Sequence, residues 1–153
     1  MSTRSFVGVM SDAGILGAYV HGDGHPSWVG TQVQKILKRD GFEKFGQTIL
    51  EGCEGGGFSW LDADTNANQE DRRCKIIGGY GGAYTDESGC EPMTLRGALS
   101  HEGGQEYAYV ARPDGLIDIY KIGYGVRDHL KWTVGLDEEL SNVPPAGAVV
   151  VKA

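Results

Sequence analysis

The sequence predicts one α+β domain, residues 1–153, with two helices packed on one face of an antiparallel sheet. Its 153 residues are a typical length for a single domain. Two strand patterns and two amphipathic helix patterns follow each other in the first third of the chain, and most later apolar segments are strand-like. Strands and helices that occur in separate runs are typical of α+β folds rather than of alternating βαβ units.

The first two predicted strands form a hairpin. Ser5–Met10 is rich in residues that favour strands, and Ser11–Gly14 has the composition of a turn. Ile15–His21 then returns with a period of two, which places Tyr19 and His21 on the same face. Both faces of this strand carry apolar side chains, so we expect it to be covered on both sides.

Two helices are predicted after the hairpin. Pro26 and Ser27 are typical of a helix start, with Ser27 as the expected N-cap. An amphipathic stripe follows, formed by Val29, Val33, Ile36 and Leu37, and Gly41 is expected to end the helix. The second helix is predicted over Phe42–Glu51, before Gly52.

The rest of the chain predicts mainly strands and loops. We expect strands at Phe58–Leu61, Lys75–Ile77, Glu106–Ala111, Leu116–Ile122, Trp132–Val134 and Ala148–Val151, the last as an edge strand. A polar loop is predicted near 62–73, the glycine-rich segments are interpreted as turns and mobile loops, and Thr94–Leu99 has no clear period. Arg112–Gly115 contains Pro-Asp-Gly, which favours a tight turn between two strands.

Composition limits the classes of partner. A net charge of −7 disfavours nonspecific binding to nucleic acid and to anionic lipid. No apolar run approaches the ~20 residues of a membrane-spanning helix, and the first residues lack the apolar core of a signal peptide. We therefore expect a cytoplasmic protein that binds neither nucleic acid nor membrane. The three cysteines form no Cys-x-x-Cys pair, which argues against a structural zinc site.

The candidate functional site is the segment from His21 to Pro26, between the hairpin and the first helix. Here two imidazoles and a carboxylate alternate with glycines. One hypothesis is recognition of a small polar molecule or a partner protein, with Tyr19, His21, Asp23 and Trp28 as the binding residues. A purely structural turn is the alternative, in which Asp23 accepts hydrogen bonds from backbone N–H groups before the helix.

A second hypothesis is a divalent metal site. In an extended backbone His21, Asp23 and His25 would share one side, and two imidazoles with a carboxylate are typical metal ligands. The corresponding activity is metal-assisted hydrolysis with Glu102 as the base. No other cofactor is predicted, and no complete catalytic motif is present, so the sequence favours binding over catalysis.

Two N-terminal stretches resemble a family of small, uncharacterised bacteriophage proteins, and Glu106–Val110 and Leu136–Leu140 also resemble its C-terminal half. Members begin Met-Ser-Thr-Arg-Ser, as Met1–Ser5 does here, and carry Tyr-Cys-His-Trp-Asp-Gly-Tyr-Pro before a helix. The segment Tyr19–Pro26 follows this pattern at Tyr19, His21, Asp23, Gly24 and Pro26, and it departs from it at Val20, Gly22 and His25. The resemblance implies a phage origin and no particular chemistry.

The sequence thus predicts a phage-encoded accessory protein that acts in the host cytoplasm. Its partner is expected to be a host protein or a small polar ligand, and one role consistent with this is to counteract host defence. The metal-dependent hydrolase is the first alternative. The second is a structural or assembly protein that forms a homo-oligomer through the apolar segment Ala146–Val151.

Overall fold

The computed structural model describes residues 3–100, 103–123 and 128–152. Over these ranges ten strands form one sheet, on which three α-helices pack. The strands are β1 (Ser5–Ser11), β2 (Gly14–Val20), β3 (Phe58–Leu61), β4 (Cys74–Ile77), β5 (Gly81–Tyr84), β6 (Met93–Thr94), β7 (Tyr107–Ala111), β8 (Ile117–Lys121), β9 (Asp128–Val134) and β10 (Val149–Lys152). The helices are α1 (Thr31–Asp40), α2 (Phe42–Glu51) and α3 (Leu95–Leu99).

The sheet is mixed, which corrects the prediction of an antiparallel sheet. Its order is β10-β9-β8-β7-β1-β2-β3-β5-β4, with β6 paired to β2. The pairs β1–β7 and β2–β3 are parallel, and the other pairs are antiparallel. Parallel neighbours need a crossover connection, and between β2 and β3 the two predicted helices supply it. The pattern of strands and helices along the chain did not indicate this pairing.

The segments with local sequence signals have the predicted structure. β1 and β2 form the hairpin in continuous register from Ser5–Val20 to Ser11–Gly14. Residues 112–116 form the turn between β7 and β8, where Gly115 has a φ of 85° and donates its N–H to Arg112 O. The segment near 62–73 is the predicted loop, without helix or strand.

The first helical segment begins differently from the prediction. Pro26–Gly30 forms a short π-helix that continues into α1, and His25, not Ser27, is its N-cap residue. Ser27 instead donates its backbone N–H to Asn142 Oδ1 at 2.9 Å. The side chain that satisfies this N–H comes from far along the chain, so the local sequence did not reveal it. Gly41 ends α1 with a φ of 85°, as predicted.

Two apolar clusters cover the sheet. The larger cluster contains Val7 and Val9 of β1 together with apolar residues of α1 and α2. The smaller cluster contains Phe6 of β1 and Ala98 of α3. Because side chains alternate across a strand, neighbouring residues of β1 contribute to different clusters. Both sides of the central strands are therefore packed, as the apolar pattern of β2 indicated.

Strand β5 was missed because glycine disfavours strands. Gly81 and Gly82 were interpreted as part of a turn, yet Gly82 pairs with Trp60 of β3 and with Ile76 of β4. A Cβ atom at Gly82 would lie 2.3 Å from the Trp60 ring, so the absent side chain makes room for the indole. The glycine here serves close packing rather than a turn.

The C-terminal end of α1 holds the polar loop in place. Arg39 donates hydrogen bonds of 2.9 Å to the carbonyl oxygens of Ala63 and Gly79, and it pairs with the neighbouring Asp40 carboxylate. Its guanidinium also lies over the Tyr80 ring. Among the helices that the structure describes, none has the length and apolar character needed to cross a membrane.

Candidate functional site

The backbone of the candidate segment is fixed by hydrogen bonds to two neighbouring strands. His21 and Gly22 donate their N–H groups to Phe58 O and Ser59 O, at 2.9 and 3.1 Å. The chain then turns at Asp23, whose φ is 53°, and Gly24 donates to Thr3 O at 2.8 Å. The segment is therefore a tight turn at the end of an interior strand, between β2 and the π-helix.

Tyr19 and His21 form the central contact of the site. The Tyr19 hydroxyl lies 2.6 Å from His21 Nδ1, and both side chains are half-buried. They project from the face of β2 opposite to Ala18 and Val20, which belong to the larger cluster. The predicted placement of these two residues on one face explains this contact.

Arg4 joins this pair, and the sequence analysis missed it. β1 and β2 pair Phe6 with Tyr19, and Arg4 precedes Phe6 by two residues. The positive charge of Arg4 acts on the Tyr19 hydroxyl, so the guanidinium lies near Tyr19. We call this group the Arg4–Tyr19–His21 site. No sequence motif surrounds Arg4, so only the pairing of β1 and β2 could have indicated that it belongs to the site.

Burial and a nearby charge both act on the pKa of the Tyr19 hydroxyl. Burial raises the pKa of the Tyr19 hydroxyl, and the positive charge of Arg4 only partly opposes this shift. The hydroxyl therefore keeps its proton at neutral pH and can donate it to His21 Nδ1. In that tautomer the ring carries its hydrogen on Nε2, so the ring offers a donor on its far side.

Arg4 and His21 both have nitrogen atoms that bind no other described residue. Within the described residues no hydrogen bond or ion pair engages the Arg4 guanidinium or His21 Nε2. The backbone of Arg4 is held on its other side by Glu106, whose N–H donates to Arg4 O at 2.8 Å. The site thus presents donor groups, and one carboxylate, that of Glu91, lines the cavity beside Tyr19.

A small cavity borders the site. It has a volume of about 150 Å³ and is lined by Tyr19 together with Gly17, Ala18, Cys53, Gly56, Gly57, Glu91 and Met93. This is less than the ~300–1,000 Å³ of a typical pocket for a drug-sized ligand. Burial raises the pKa of the Cys53 thiol to about 12, so the thiol is protonated and is a poor nucleophile. The cavity can hold only one group of a ligand.

His21 and His25, two of the three predicted metal ligands, bind different partners in the structure. His25 binds Thr3 Oγ1 through Nε2 at 2.8 Å, and its ring lies 5.6 Å from that of Tyr107. Tyr107 belongs to the larger cluster, on the side of the sheet opposite to His21. The positive φ of Asp23 breaks the extended geometry that the prediction assumed. In residues 3–100, 103–123 and 128–152, no group of three His, Cys, Asp or Glu side chains could hold a metal ion.

Asp23 and Trp28 are not bonded to the Arg4–Tyr19–His21 site. No hydrogen bond, ion pair or ring contact within the described part of the chain links either side chain to it. The exposed Asp23 carboxylate also accepts no backbone N–H there, so the predicted capping bond is absent. Trp28 is 40 % exposed and donates its indole N–H to Leu61 O at 3.2 Å. Glu102, the predicted catalytic base, lies outside the described residues.

Comparison with protein-family models, with curated proteins and with solved structures gives no match to this chain. The phage resemblance of the segment Tyr19–Pro26 therefore stays a prediction, and the functional argument depends on the geometry of the site.

Proposed function

We propose that this chain is a phage-encoded accessory protein that binds a small polar ligand at the Arg4–Tyr19–His21 site. The observation that supports the proposal is the 2.6 Å contact between the Tyr19 hydroxyl and His21 Nδ1. This contact fixes the imidazole and directs its remaining nitrogen away from Tyr19. A side chain held by a second residue is typical of binding sites, because less conformational freedom is lost when the ligand arrives.

The chemistry of the site favours a ligand with an anionic group. Arg4 supplies a planar donor suited to carboxylate or phosphate, and His21, which is bonded to Tyr19, supplies a second donor. The 150 Å³ cavity next to Tyr19 accepts only part of a larger molecule, so the rest of the ligand lies on the surface. A nucleotide of the kind that serves as a defence signal has this character. The proposed place of action is the host cytoplasm.

Calorimetric titration with nucleotides, inorganic phosphate and dicarboxylates tests this proposal. We expect one class to bind, with affinity at least tenfold weaker in Tyr19→Phe and in Arg4→Gln. The matched control is Arg72→Gln, which removes the same charge from the exposed polar loop. If none of these compounds binds, or if Arg72→Gln weakens binding as much as Arg4→Gln, the proposal is wrong.

A second candidate is contact with a host protein through Trp28. Its indole is held by Leu61 O while 40 % of the residue stays exposed, and exposed aromatic residues are enriched in protein interfaces. A host protein that is retained by the wild type and by Tyr19→Phe, but not by Trp28→Ala, would support this function. Retention by all three proteins would exclude a role for Trp28.

A further inference from the structure

We propose that the cavity beside Tyr19 takes the base of a guanine nucleotide whose phosphate binds at the Arg4–Tyr19–His21 site. This inference deepens the proposed function and rests on it, because it names the base that the phosphate group brings with it. The cavity volume of about 150 Å³ equals that of about five water molecules. This is enough for the hydrogen-bonding edge of a planar base, while the ribose and the phosphate stay outside.

The cavity lies at a break in the sheet beside β2. On this side of β2, Gly17 pairs with β6, whereas Val20 pairs with β3. Ala18 and Tyr19 lie between these two pairings and line the cavity, and no described strand pairs with them on this side. The cavity therefore gives access to a stretch of backbone that a neighbouring strand covers elsewhere in β2.

The backbone N–H of Tyr19 supplies a hydrogen-bond donor to this break. His21 donates its N–H to Phe58 O of β3, and alternate residues of a strand direct their N–H and C=O groups to the same side. Both groups of Tyr19 therefore face this side as well. Its C=O is covered by Gly57, where a Cβ atom would lie 2.3 Å from Tyr19 O. Its N–H lies towards the unpaired stretch and can donate to a carbonyl oxygen of a ligand.

The Glu91 carboxylate is the strong acceptor of the cavity. It lies on the wall, and no hydrogen bond or ion pair engages it within the described part of the chain. Gly17 O, a second acceptor there, already accepts a hydrogen bond from Cys53 Sγ over 3.3 Å. The two oxygens of a carboxylate can accept from two adjacent donors of one ligand. The cavity thus combines one backbone donor with one paired acceptor.

Guanine matches this combination better than the other bases do. Its N1–H and its 2-amino group are adjacent donors for the carboxylate, and its O6 is an acceptor for the Tyr19 N–H. Adenine has no carbonyl oxygen, and its unprotonated ring nitrogen would face the carboxylate next to a single amino group. Hypoxanthine keeps N1–H and O6 but lacks the 2-amino group. We therefore expect affinity to fall from guanine to hypoxanthine to adenine.

Calorimetric titration with guanosine, inosine and adenosine monophosphates tests this order. We expect the guanosine compound to bind at least about tenfold more tightly than the adenosine compound, and Glu91→Gln to remove this preference without weakening the adenosine compound. Glu70→Gln is the matched control, because it removes the same charge from the exposed polar loop. Equal affinities for the three compounds, or equal weakening of all three by Glu91→Gln, would overturn the inference and leave the proposed function standing. If none of the three binds, the inference falls together with nucleotide binding.

Nuclear magnetic resonance provides a readout at the cavity itself. Guanosine monophosphate should move the Tyr19 amide proton resonance downfield, because the N–H gains an acceptor. Ribose 5-phosphate, which has the phosphate but no base, should shift resonances around Arg4 and His21 and leave that of the Tyr19 amide in place. An equal shift of the Tyr19 amide by both compounds would contradict a base in the cavity.

Discussion

Tyr80 donates its hydroxyl hydrogen to Asp40 Oδ2 over 2.8 Å, and this bond joins the end of α1 to the segment before β5. Arg39 donates two further hydrogen bonds to the same carboxylate, from Nε and Nη2. These bonds, those from Arg39 first, hold the pKa of Asp40 at about 2, below its usual 3.8. The carboxylate is stabilised in its charged form only in the folded protein, which makes stability depend on pH.

The first prediction concerns this carboxylate. Its contribution is complete above about pH 4 and is lost as the pH falls through the folded pKa of about 2, since the unfolded chain takes up the proton first. At neutral pH we expect Asp40→Asn to lower the free energy of unfolding by about 1–2 kcal/mol. Urea unfolding at a series of pH values should show this difference shrinking towards pH 2. A difference independent of pH would contradict the assignment.

Tyr80→Phe separates the hydroxyl from the ring. The phenylalanine keeps the aromatic face under Arg39 but removes the bond to Asp40. We expect a loss of about 1 kcal/mol at neutral pH, typical of one hydrogen bond. The loss should shrink at low pH together with that of Asp40→Asn. A loss that stays constant as Asp40 becomes protonated would contradict a role for the bond to the charged carboxylate.

Gly24 and Gly22 should differ sharply in their tolerance of alanine. A Cβ atom at Gly24 would lie 2.6 Å from Thr3 O, a backbone atom that the Gly24 N–H itself binds. At Gly22 the nearest atom is Ser59 O at 3.4 Å, an ordinary contact. We expect Gly24→Ala to cost about 1–3 kcal/mol and Gly22→Ala less than about 1 kcal/mol in thermal unfolding. Equal losses would show that the turn adjusts freely.

Ser5 carries a buried hydroxyl group that has no hydrogen-bond partner among the described residues. Ser5 is 0 % exposed, so bulk solvent does not reach this hydroxyl. Replacement by alanine should therefore raise the free energy of unfolding by about 1 kcal/mol, because the unpaired polar group is removed. Ser11→Ala is the control, since the Ser11 hydroxyl donates to Gly14 O and its loss gives no gain. A destabilised Ser5→Ala would indicate a partner for this hydroxyl.

Asp23 should respond to substitution through its backbone conformation. Its φ of 53° suits glycine and asparagine better than most residues, and its carboxylate makes no hydrogen bond within the described residues. We expect Asp23→Asn and Asp23→Gly to leave the melting temperature unchanged or raise it, and Asp23→Val to cost about 1–2 kcal/mol. A large loss in Asp23→Asn would instead show that the carboxylate itself is needed for folding.

Local signals predicted the elements that depend on neighbours in the chain. The hairpin of β1 and β2, the two amphipathic helices and the turn at residues 112–115 each have their determinants within a few residues. The pairing of strands that are distant in the chain has no such local determinant. The parallel neighbours β1 and β7 carry ordinary strand patterns, and nothing in either pattern specifies the direction of the partner.

In the candidate site too, local signals and long-range strand pairing contributed differently to the prediction. The period of two correctly placed Tyr19 and His21 on one face, but its extension to Asp23 and His25 failed where the backbone leaves the extended region. Arg4 was missed because its place near Tyr19 follows from the pairing of β1 and β2, which no motif records. Site residues brought together by strand pairing become visible only when the pairing is known.

The parallel pairing of β1 with β7 has a consequence for synthesis of the chain on the ribosome. β1 lies in the interior of the sheet, yet its second partner emerges only after residues 107–111 have been translated. At roughly 5–20 residues per second, one side of β1 is without that partner for several seconds. During this interval the nascent chain presents a strand edge that other unfinished chains can pair with. Conditions that slow translation between β2 and β7 therefore lengthen the period in which the chain is prone to aggregate.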